Sequence, residues 1–336
     1  NNDGFMSKDF IESTLKRYGV ENSYVCIALD YKKYNNTKCQ GKEGHQEYLF
    51  YVQKKPIEEV VVESPLNYTG SKSKMVDIIK RHLPTHHLNK LVDAFGGGFN
   101  VGINIPSNKT IYNDINPFVE GLIKSFSTDV YAYLMYVSKL INKYKLSPNN
   151  KEGYMALREK YNKTPIEKRD PRMLYTLILY GFQQQIRFNT NHGFNNPPGS
   201  RWFNECLLSK FITFARCSRT KNIEYCNMSF DKLIEKITPD TLVYADPPYR
   251  STLGVYNDGK RGFEGWTINH EHNLCMFLDK INERGSRFML SYVLKVNDFY
   301  NKEIATWAAN NNYNVIDIEI PQGRYNNRKE VLITNY

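Results

Sequence analysis

Residues 243–249 read Val-Tyr-Ala-Asp-Pro-Pro-Tyr, and this stretch decides the fold of the chain. The run from Thr241 to Ala245 is apolar and rich in β-forming residues, and it is predicted to be a buried strand. Neither proline after it can donate a hydrogen bond to a sheet, so the strand must end there. In an open α/β sheet, ligands bind beyond the carboxyl ends of the strands. The sequence therefore predicts a binding crevice with Asp246 and Tyr249 at its edge.

The four residues at this strand end favour one kind of ligand. Asp246 supplies one hydrogen-bond acceptor, and the carbonyl of Pro247 supplies a second. Pro248 stiffens the turn, and Tyr249 offers a flat aromatic face. Two acceptors and a stacking ring suit a planar molecule with an exocyclic amine, which has two protons to donate. The plainer interpretation is a strand that ends at two prolines and carries an N-capping aspartate.

The composition indicates a soluble globular protein with a polyanionic partner. The 336 residues are 41% hydrophobic and 24% charged, and the net charge is +10. Residues 120–222 hold 17 Lys and Arg against 7 Asp and Glu, a local excess equal to that of the whole chain. Six widely spaced cysteines without a Cys-x-x-Cys pair argue against a zinc ribbon or a disulfide scaffold and fit a reducing cytoplasm. No apolar run approaches the ~20 residues of a membrane span.

Two glycine turns precede the proline strand end. The first, residues 67–74 (Asn-Tyr-Thr-Gly-Ser-Lys-Ser-Lys), opens a helix whose N-terminus and lysine favour an anionic group. The second, residues 91–100 (Leu-Val-Asp-Ala-Phe-Gly-Gly-Gly-Phe-Asn), indicates a strand, a turn and a helix start, and its glycines let the backbone approach a ligand. A second strand ends at Asp114, 16 residues after Gly98. A glycine turn with an acid at the next strand end is typical of nucleoside binding, with the acid on ribose hydroxyls.

Helical patterns dominate residues 117–222. Helices are predicted over Phe118–Phe126, Val130–Tyr144, Gly153–Tyr161, Arg172–Gln185 and Phe203–Ala215. Residues 187–202 (Arg-Phe-Asn-Thr-Asn-His-Gly-Phe-Asn-Asn-Pro-Pro-Gly-Ser-Arg-Trp) are too rich in Asn, Gly and Pro for a helix and predict a hairpin or an ordered loop. Arg and Asn suit bidentate contacts with guanine and adenine edges, and Phe188, Phe194 and Trp202 are candidates to wedge between bases or stack on them. The plainer interpretation is a solvated helical subdomain.

The sheet pattern returns at residue 223. Strands are predicted over 223–226, 241–245 and 287–292, and an antiparallel pair over 314–320 and 330–334 closes the chain. Helices are predicted up to residue 237 and over 270–283 and 298–310. The long polar loop over residues 250–266 follows the Asp-Pro-Pro-Tyr end directly, where we expect a lid or a DNA-facing loop. Residues 1–63 carry no recognisable chemistry and are interpreted as an N-terminal extension of unknown role.

In this order the motifs resemble those of the Dam-like DNA adenine-N6 methyltransferases. The resemblance covers roughly residues 64–336 and rests on Tyr-Thr-Gly-Ser-Lys at 68–72, Phe-Gly-Gly-Gly at 95–98, Asn-Asp-Ile-Asn at 113–116, the 187–202 hairpin, Asp-Pro-Pro-Tyr at 246–249 and Glu-Val-Leu-Ile-Thr-Asn at 330–335. It implies an α/β fold with a Rossmann-like catalytic domain over 64–119 and 223–336, which is dependent on S-adenosylmethionine (SAM). It also implies a helical target-recognition domain over 120–222 that binds double-stranded DNA.

The resemblance further implies the origin, the localisation and the partners of the protein. Such an enzyme is bacterial or phage-encoded and cytoplasmic, needs no metal, and acts on DNA as a monomer. A restriction endonuclease in the same system is an implied partner.

Site residues are carried over by position from the same resemblance. The catalytic residues are Asp246, Pro247, Pro248 and Tyr249. The cofactor is expected against a larger set, namely Tyr68, Gly70, Lys72, Asp93, Phe95, Gly96, Gly98, Asp114, Ser229, Phe230 and Asp246. DNA is expected against Arg187, Asn189, Asn195 and Arg201. Two positions depart from the family, because Ala94 stands where Pro is frequent and Ser229 where Asp is frequent.

The implied reaction begins with a target adenine that leaves the base stack. Asp246 and the Pro247 carbonyl accept the two N6 protons, Tyr249 stacks on the base, and catalysis consists of positioning and electrostatics. Three alternatives stay open. The same fold can act on cytosine N4, since Asp-Pro-Pro-Tyr also occurs in those enzymes. It can act on RNA or a protein amide, or it can be a non-catalytic DNA-binding module.

Overall fold

A computed structural model describes residues 8–29, 47–54, 61–250, 265–318 and 328–336. The chain divides into two compact units, Asn1–Val60 and Val61–Tyr336. In the first unit, helix α1 (Lys8–Tyr18) precedes an antiparallel pair of strands, β1 (Val25–Leu29) and β2 (Glu47–Tyr51). The predicted loop after Arg250 lies outside the described residues over 251–264.

The second unit is built on a mixed eight-stranded sheet. Its strands are β3 (Lys90–Asp93), β4 (Lys109–Asn113), β5 (Ile223–Cys226), β6 (Thr241–Ala245), β7 (Arg287–Val296), β8 (Phe299–Tyr300), β9 (Asn314–Ile318) and β10 (Arg328–Thr334). They lie in the order β5-β4-β3-β6-β7-β10-β9, and β8 pairs with β7. Neighbours from β5 to β7 are parallel, whereas β10 is antiparallel to both β7 and β9. The α/β class and the antiparallel closing pair are therefore confirmed.

The order of the strands places a crevice beside β3. Strand β3 has β4 on one side and β6 on the other, so the course of the chain reverses there. Ligands of open α/β sheets bind at such a reversal, outside the carboxyl ends of the strands. Asp93 is the last residue of β3, and Asp114 and Asp246 directly follow β4 and β6. Strand β6 is buried along its whole length and ends before Pro247, as predicted.

Helices cover the sheet and fill the segment between β4 and β5. They are α2 (Val76–Arg81), α3 (Pro117–Ser125), α4 (Val130–Tyr144), α5 (Lys151–Lys163), α6 (Pro171–Tyr180), α7 (Glu205–Thr220), α8 (Ile268–Glu283) and α9 (Lys302–Asn310). The helices from α3 to α7 each begin at an Asn or Asp whose side chain accepts a hydrogen bond from the first turn. Among the described helices, none has the length and apolar character needed to cross a membrane.

The prediction of a helix over 172–185 is wrong in its last five residues. Helix α6 ends at Tyr180, and Gly181 is extended. Gln183 and Gln184 then have φ of 52° and 56°, in the left-handed region that side chains with a Cβ rarely adopt. The predicted helix over 298–310 also begins later, at Lys302, because the two residues of β8 pair with β7 first.

One hydrophobic core joins the helical segment to the sheet. Aromatic side chains of α4, α6 and α7, such as Tyr133, Tyr175 and Phe211, are fully buried together. The same cluster contains Phe99 and Tyr112, which come from the glycine turn and from β4. Residues 120–222 are therefore packed into the same compact unit as the sheet.

Candidate active site

A cavity of about 280 Å³ lies at the carboxyl ends of β3, β4 and β6. All eleven residues expected at the cofactor line it: Tyr68, Gly70, Lys72, Asp93, Phe95, Gly96, Gly98, Asp114, Ser229, Phe230 and Asp246. Pro248 lines it too, whereas Pro247 and Tyr249 are buried and are not part of the lining. The structure thus brings together residues that are far apart in the chain.

The glycine turn after β3 is tightly packed by aromatic rings of the chain itself. A Cβ on Gly96 would lie 2.2 Å from the Tyr112 ring, and one on Gly97 would lie 2.7 Å from the Tyr68 ring. Gly97 also has φ +47°, and its N–H donates to Asp114 Oδ2 at 3.0 Å. The turn therefore needs glycine for packing and backbone conformation, and Asp114 holds it against the end of β4.

Three carboxylates give the cavity a negative character. Asp93 is 2% exposed, and its Oδ2 accepts a hydrogen bond from the Gly102 N–H at 3.0 Å. Burial raises the pKa of Asp93 to about 7, and the negative charges of Asp246 and Asp114 contribute in the same direction. In the described ranges, no group of three or more His, Cys, Asp or Glu side chains is arranged to hold a metal ion.

Lys72 is the centre of a buried polar cluster at the end of β6. Its Nζ donates to both carboxylate oxygens of Asp246 at 2.7 Å and to the Tyr249 hydroxyl at 2.8 Å. The Tyr249 hydroxyl in turn donates to Asp246 Oδ1 at 2.5 Å, and its ring packs edge-on against Tyr292. Lys72 is only 5% exposed. In this conformation, both oxygens of Asp246 are therefore engaged by the chain itself.

A further carboxylate near Lys72 belongs to Glu330, which is buried. Glu330 Oε1 lies 3.7 Å from the Lys72 Nζ, and Oε2 lies 3.1 Å from the Arg328 guanidinium. Burial raises the pKa of Glu330, although the two cations act in the opposite direction. The sequence analysis placed Glu330 in the closing strand without giving it a role. The sequence did contain a signal for Glu330, because a charged residue stands at the start of an apolar run. In the structure, this part of the strand is buried.

Aromatic rings form one wall of the cavity. Phe95 and Phe230 lie with ring centroids 5.1 Å apart, and Trp266 lies 5.9 Å from Phe95 and 6.1 Å from Phe230. Trp266 also stacks on His270, which lines the cavity as well. Sequence reasoning gave neither residue a function, because Trp266 ends the long polar loop and His270 begins a predicted helix. The wall offers apolar faces of a size suited to a purine.

Ser229 occupies the position where the family frequently has an acid. Its hydroxyl donates a short hydrogen bond to Asp231, two residues further along the chain. The Asp231 carboxylate is thus hydrogen-bonded to the Ser229 hydroxyl, and Ser229, not Asp231, lines the cavity.

The predicted hairpin is present in a short form. Phe188 and Phe194 pair as an antiparallel bridge, and both rings are fully buried in the helical core. The idea that these two rings wedge or stack is therefore wrong, and of the three predicted aromatics Trp202 alone is exposed, at 52%. Arg187 and Arg201 are exposed.

Of the two asparagines predicted to face DNA, Asn189 is exposed, but its side chain is hydrogen-bonded within the hairpin. Asn189 Oδ1 accepts from the N–H groups of Asn191 and Gly193, so this side chain closes the hairpin turn. Asn195 is half-buried. Contact of either residue with DNA stays a prediction.

An exposed aromatic ring that the sequence analysis missed stands beside the hairpin. Phe182 is 49% exposed, immediately before the left-handed Gln183. The backbone there is fixed from two directions, since Asn67 donates to the Gln183 carbonyl at 2.7 Å and Phe182 N–H donates to Pro197 O at 2.8 Å. Strained backbone held by its surroundings is frequent at functional sites. The sequence analysis missed this turn because it predicted that the helix continues to Gln185.

Comparisons with known proteins agree on one family. A model of the D12 class N6 adenine-specific DNA methyltransferases matches residues 68–319. The type II methyltransferase M.FokI of Planomicrobium okeanokoites is 35% identical, over 100% of this chain and 55% of the relative. The modification methylase StsI of Streptococcus sanguinis is 32% identical, with the same coverage. The DNA adenine methylase of Escherichia coli strain K12 is 26% identical over 67% of this chain and 79% of the relative. The chain spans about half the length of M.FokI and StsI.

Proposed function

Because the chain belongs to the D12 class N6 adenine-specific DNA methyltransferases, we propose that it transfers a methyl group from SAM to N6 of adenine in double-stranded DNA. The observation that carries this proposal is the position of Asp246. Its carboxylate stands at a proline-terminated strand end, on the same cavity as the glycine turn and Asp114. We further propose that the sheet domain is Rossmann-like and that residues 120–222 recognise the DNA target.

The lining of the cavity fits SAM. The carboxylates match its cationic ammonium and sulfonium groups, we propose Asp114 for the ribose hydroxyls, and the aromatic wall of Phe230, Phe95 and Trp266 supports binding of the purine ring. The raised pKa of Asp93 supports this assignment, because a cation beside this carboxyl would favour its ionised form. When bound, the cofactor supplies an electrophilic methyl group.

The residues around Asp246 hold and orient the substrate amine. A base inside the duplex cannot reach a cavity at the sheet edge, so the adenine must rotate out of the stack. Its N6 is a poor nucleophile, because the lone pair is delocalised into the ring. Asp246 and the Pro247 carbonyl accept hydrogen bonds from the two N6–H groups, which favours a tetrahedral nitrogen with an available lone pair, and one of the two protons leaves the nitrogen when it gains the methyl group. For this the Pro247 carbonyl must face the base, and Asp246 must exchange part of its bond with Lys72 for the amine.

In the structure, the Tyr249 ring is not positioned to stack on a base, although the sequence analysis had expected this. Its ring is 6% exposed, and its hydroxyl is bonded within the Lys72 and Asp246 cluster. Stacking on the base therefore requires the ring to move out of its contact with Tyr292. In the conformation described, we assign Tyr249 the function of fixing the Asp246 carboxylate.

The helical segment is the proposed DNA-binding surface. Its excess of basic residues equals the net charge of the chain, and phosphates attract such a surface without regard to sequence. Arg187, Asn189, Asn195 and Arg201 are proposed to face DNA, and exposed Phe182 is added to them. M.FokI and StsI are named as a type II methyltransferase and a modification methylase, so we propose that a restriction endonuclease is a partner of this system.

The test is transfer of labelled methyl from SAM to unmethylated duplex DNA, followed by analysis of the nucleosides. We expect N6-methyldeoxyadenosine as the labelled product. N4-methyldeoxycytidine would move the specificity to cytosine and contradict the assignment of the base. The absence of product despite SAM binding would contradict DNA as the substrate, and RNA or a protein amide would be tested next. The absence of SAM binding would favour a non-catalytic DNA-binding module.

A further inference from the structure

Glu330 lies behind the Lys72–Asp246 pair, and we propose that it is a positioning residue which accepts the Lys72 ammonium when a substrate amine occupies Asp246. The inference rests on the proposed function, because it assumes an amine substrate at Asp246. It assigns a function to Glu330, which is the first residue of the motif at 330–335 and does not line the cavity.

The geometry provides Lys72 with two alternative carboxylates. Its Nζ is bonded to Asp246 at 2.7 Å and lies 3.7 Å from Glu330 Oε1. Glu330 is 2% exposed, and Oε1 has no hydrogen-bond partner among the described residues. The other oxygen is already paired with Arg328. A displacement of about 1 Å would bring the ammonium to the hydrogen-bond distance of about 2.8 Å from Oε1.

The fold directs Glu330 towards Lys72. The pairing of β10 with β7 shifts between Lys329 and Glu330, and such bulges re-aim side chains. Alternate residues of a strand share a face, so Glu330 lies on the face of Leu332. Leu332 packs in one core with Met75, which stands three residues after Lys72. The segment that carries Lys72 therefore covers the sheet face from which Glu330 projects.

The reaction needs such a second carboxylate. A substrate amine can donate to Asp246 only if Lys72 releases one of its bonds there. Lys72 is 5% exposed, and a buried ammonium whose pairing with its counter-charge is weakened is disfavoured unless another acceptor replaces the lost bond. Glu330 removes this obstacle, because Lys72 remains paired on either side of its movement. Without Glu330, the lysine would stay on Asp246 and compete with the substrate.

The first experiment measures stability and needs neither DNA nor SAM. Glu330→Gln is made in the full chain and also in an Asp246→Asn background, and unfolding by urea is followed. We expect Glu330→Gln to raise the unfolding equilibrium constant at least ten times more in the Asp246→Asn background, because Lys72 then has no carboxylate left. Equal effects in the two backgrounds would overturn the proposal.

A matched control and a rescue variant complete this experiment. Asp317→Asn makes the same chemical change on the neighbouring β9, where Asp317 pairs with Lys329 at 2.9 Å but is 64% exposed. Its effect should be the same with and without Asp246→Asn. If the double variant does not fold, Lys72→Met is added, which removes the buried positive charge. Recovery of folding supports the proposal, and its failure overturns it.

The second experiment tests the effect on turnover with unmethylated genomic DNA as the substrate. We expect Glu330→Gln to lower kcat at least tenfold while the affinity for SAM, measured by calorimetry, changes less than twofold. Unchanged kcat, or a loss confined to SAM affinity, would overturn the proposal. If the wild-type protein methylates no DNA, the proposed function fails by itself, whereas the stability experiment still decides whether Glu330 and Asp246 share Lys72.

Discussion

Asp246 is the residue on which the proposed chemistry depends most directly. Asp246→Asn keeps the size of the side chain but removes the charge and one acceptor. Because correctly placed electrostatic groups contribute about 10²–10³ in rate, we expect methyl transfer to fall by roughly that factor. Asp240→Asn is the matched control, since Asp240 is exposed before the opposite end of β6. Labelled transfer and circular dichroism measure the two effects, and near-wild-type turnover of Asp246→Asn would contradict the mechanism.

Asp93 predicts a pH dependence of stability. Its pKa of about 7 in the folded chain exceeds the ordinary value of about 3.9, so between these pH values the folded chain holds a proton that the unfolded chain has released. Stability from this group is therefore complete at low pH and is lost as the pH rises to about 7, by up to about 4 kcal/mol. The free energy of unfolding of the wild type minus that of Asp93→Asn should fall over this interval. A difference that does not change with pH would show that Asp93 titrates normally.

Among the structural elements, the turn between α6 and the hairpin depends on a buried asparagine side chain. Asn196 is 1% exposed, and its Nδ2 donates to the carbonyls of Phe182 and Gln185, both at 3.0 Å. Asn196→Ala would leave the Gln185 carbonyl unpaired, at about 1–3 kcal/mol, whereas the Phe182 carbonyl keeps its bond from the Gln185 N–H at 3.2 Å. We therefore expect roughly 1–3 kcal/mol less stability in urea unfolding. DNA affinity should also fall, with unchanged SAM affinity. Asn191→Ala, at an exposed position, serves as the control, and equal losses in both variants would contradict the assignment.

The same elements explain what the sequence could and could not predict. The strand over 241–245 and helix α4 were predicted with correct bounds, because prolines end the first and Asp129 caps the second. Local chemistry sets these limits. The end of α6 was wrong because the left-handed turn there is fixed by Asn196 and Pro197, which are distant in the chain.

The candidate site residues also fall into two groups. Some could be placed from a local sequence motif, and others only from contacts between distant parts of the chain. Motif residues such as Asp93 and Asp114 could be placed at the cavity from their strand ends alone. Trp266 reaches the cavity, and Glu330 reaches Lys72, only through packing that no local pattern records. The burial of Phe188 and Phe194 likewise depends on a core that helices from several parts of the chain create.

At the scale of the whole molecule, the excess positive charge and the candidate active-site cavity come from different parts of the chain but belong to one folded unit. The cavity is lined by acids, whereas the helical segment carries an excess equal to the net charge of +10. Both belong to the compact unit Val61–Tyr336 and share a hydrophobic core. A polyanion can therefore be attracted to one region while the proposed cationic cofactor is attracted to another.

This separation predicts how DNA binding depends on salt. The logarithm of the binding constant should fall linearly with the logarithm of salt concentration, by about 0.9 for each phosphate neutralised. Replacing Arg187 and Arg201 together by Gln should therefore reduce the slope by about 2. Replacing Lys302 and Lys329, exposed residues outside 120–222, lowers the net charge equally, from +10 to +8.

The comparison of the two double variants decides between local contact and overall charge. Fluorescence anisotropy with a labelled duplex, repeated over a series of salt concentrations, gives the slope for each variant. If Arg187 and Arg201 contact phosphates, the first variant alone loses slope, because counterions are released only where phosphates are neutralised. Equal slopes for both variants would mean that the hairpin does not contact the DNA backbone. The two arginines could then contribute base contacts at most, and the proposed recognition surface would have to lie elsewhere on the helical segment.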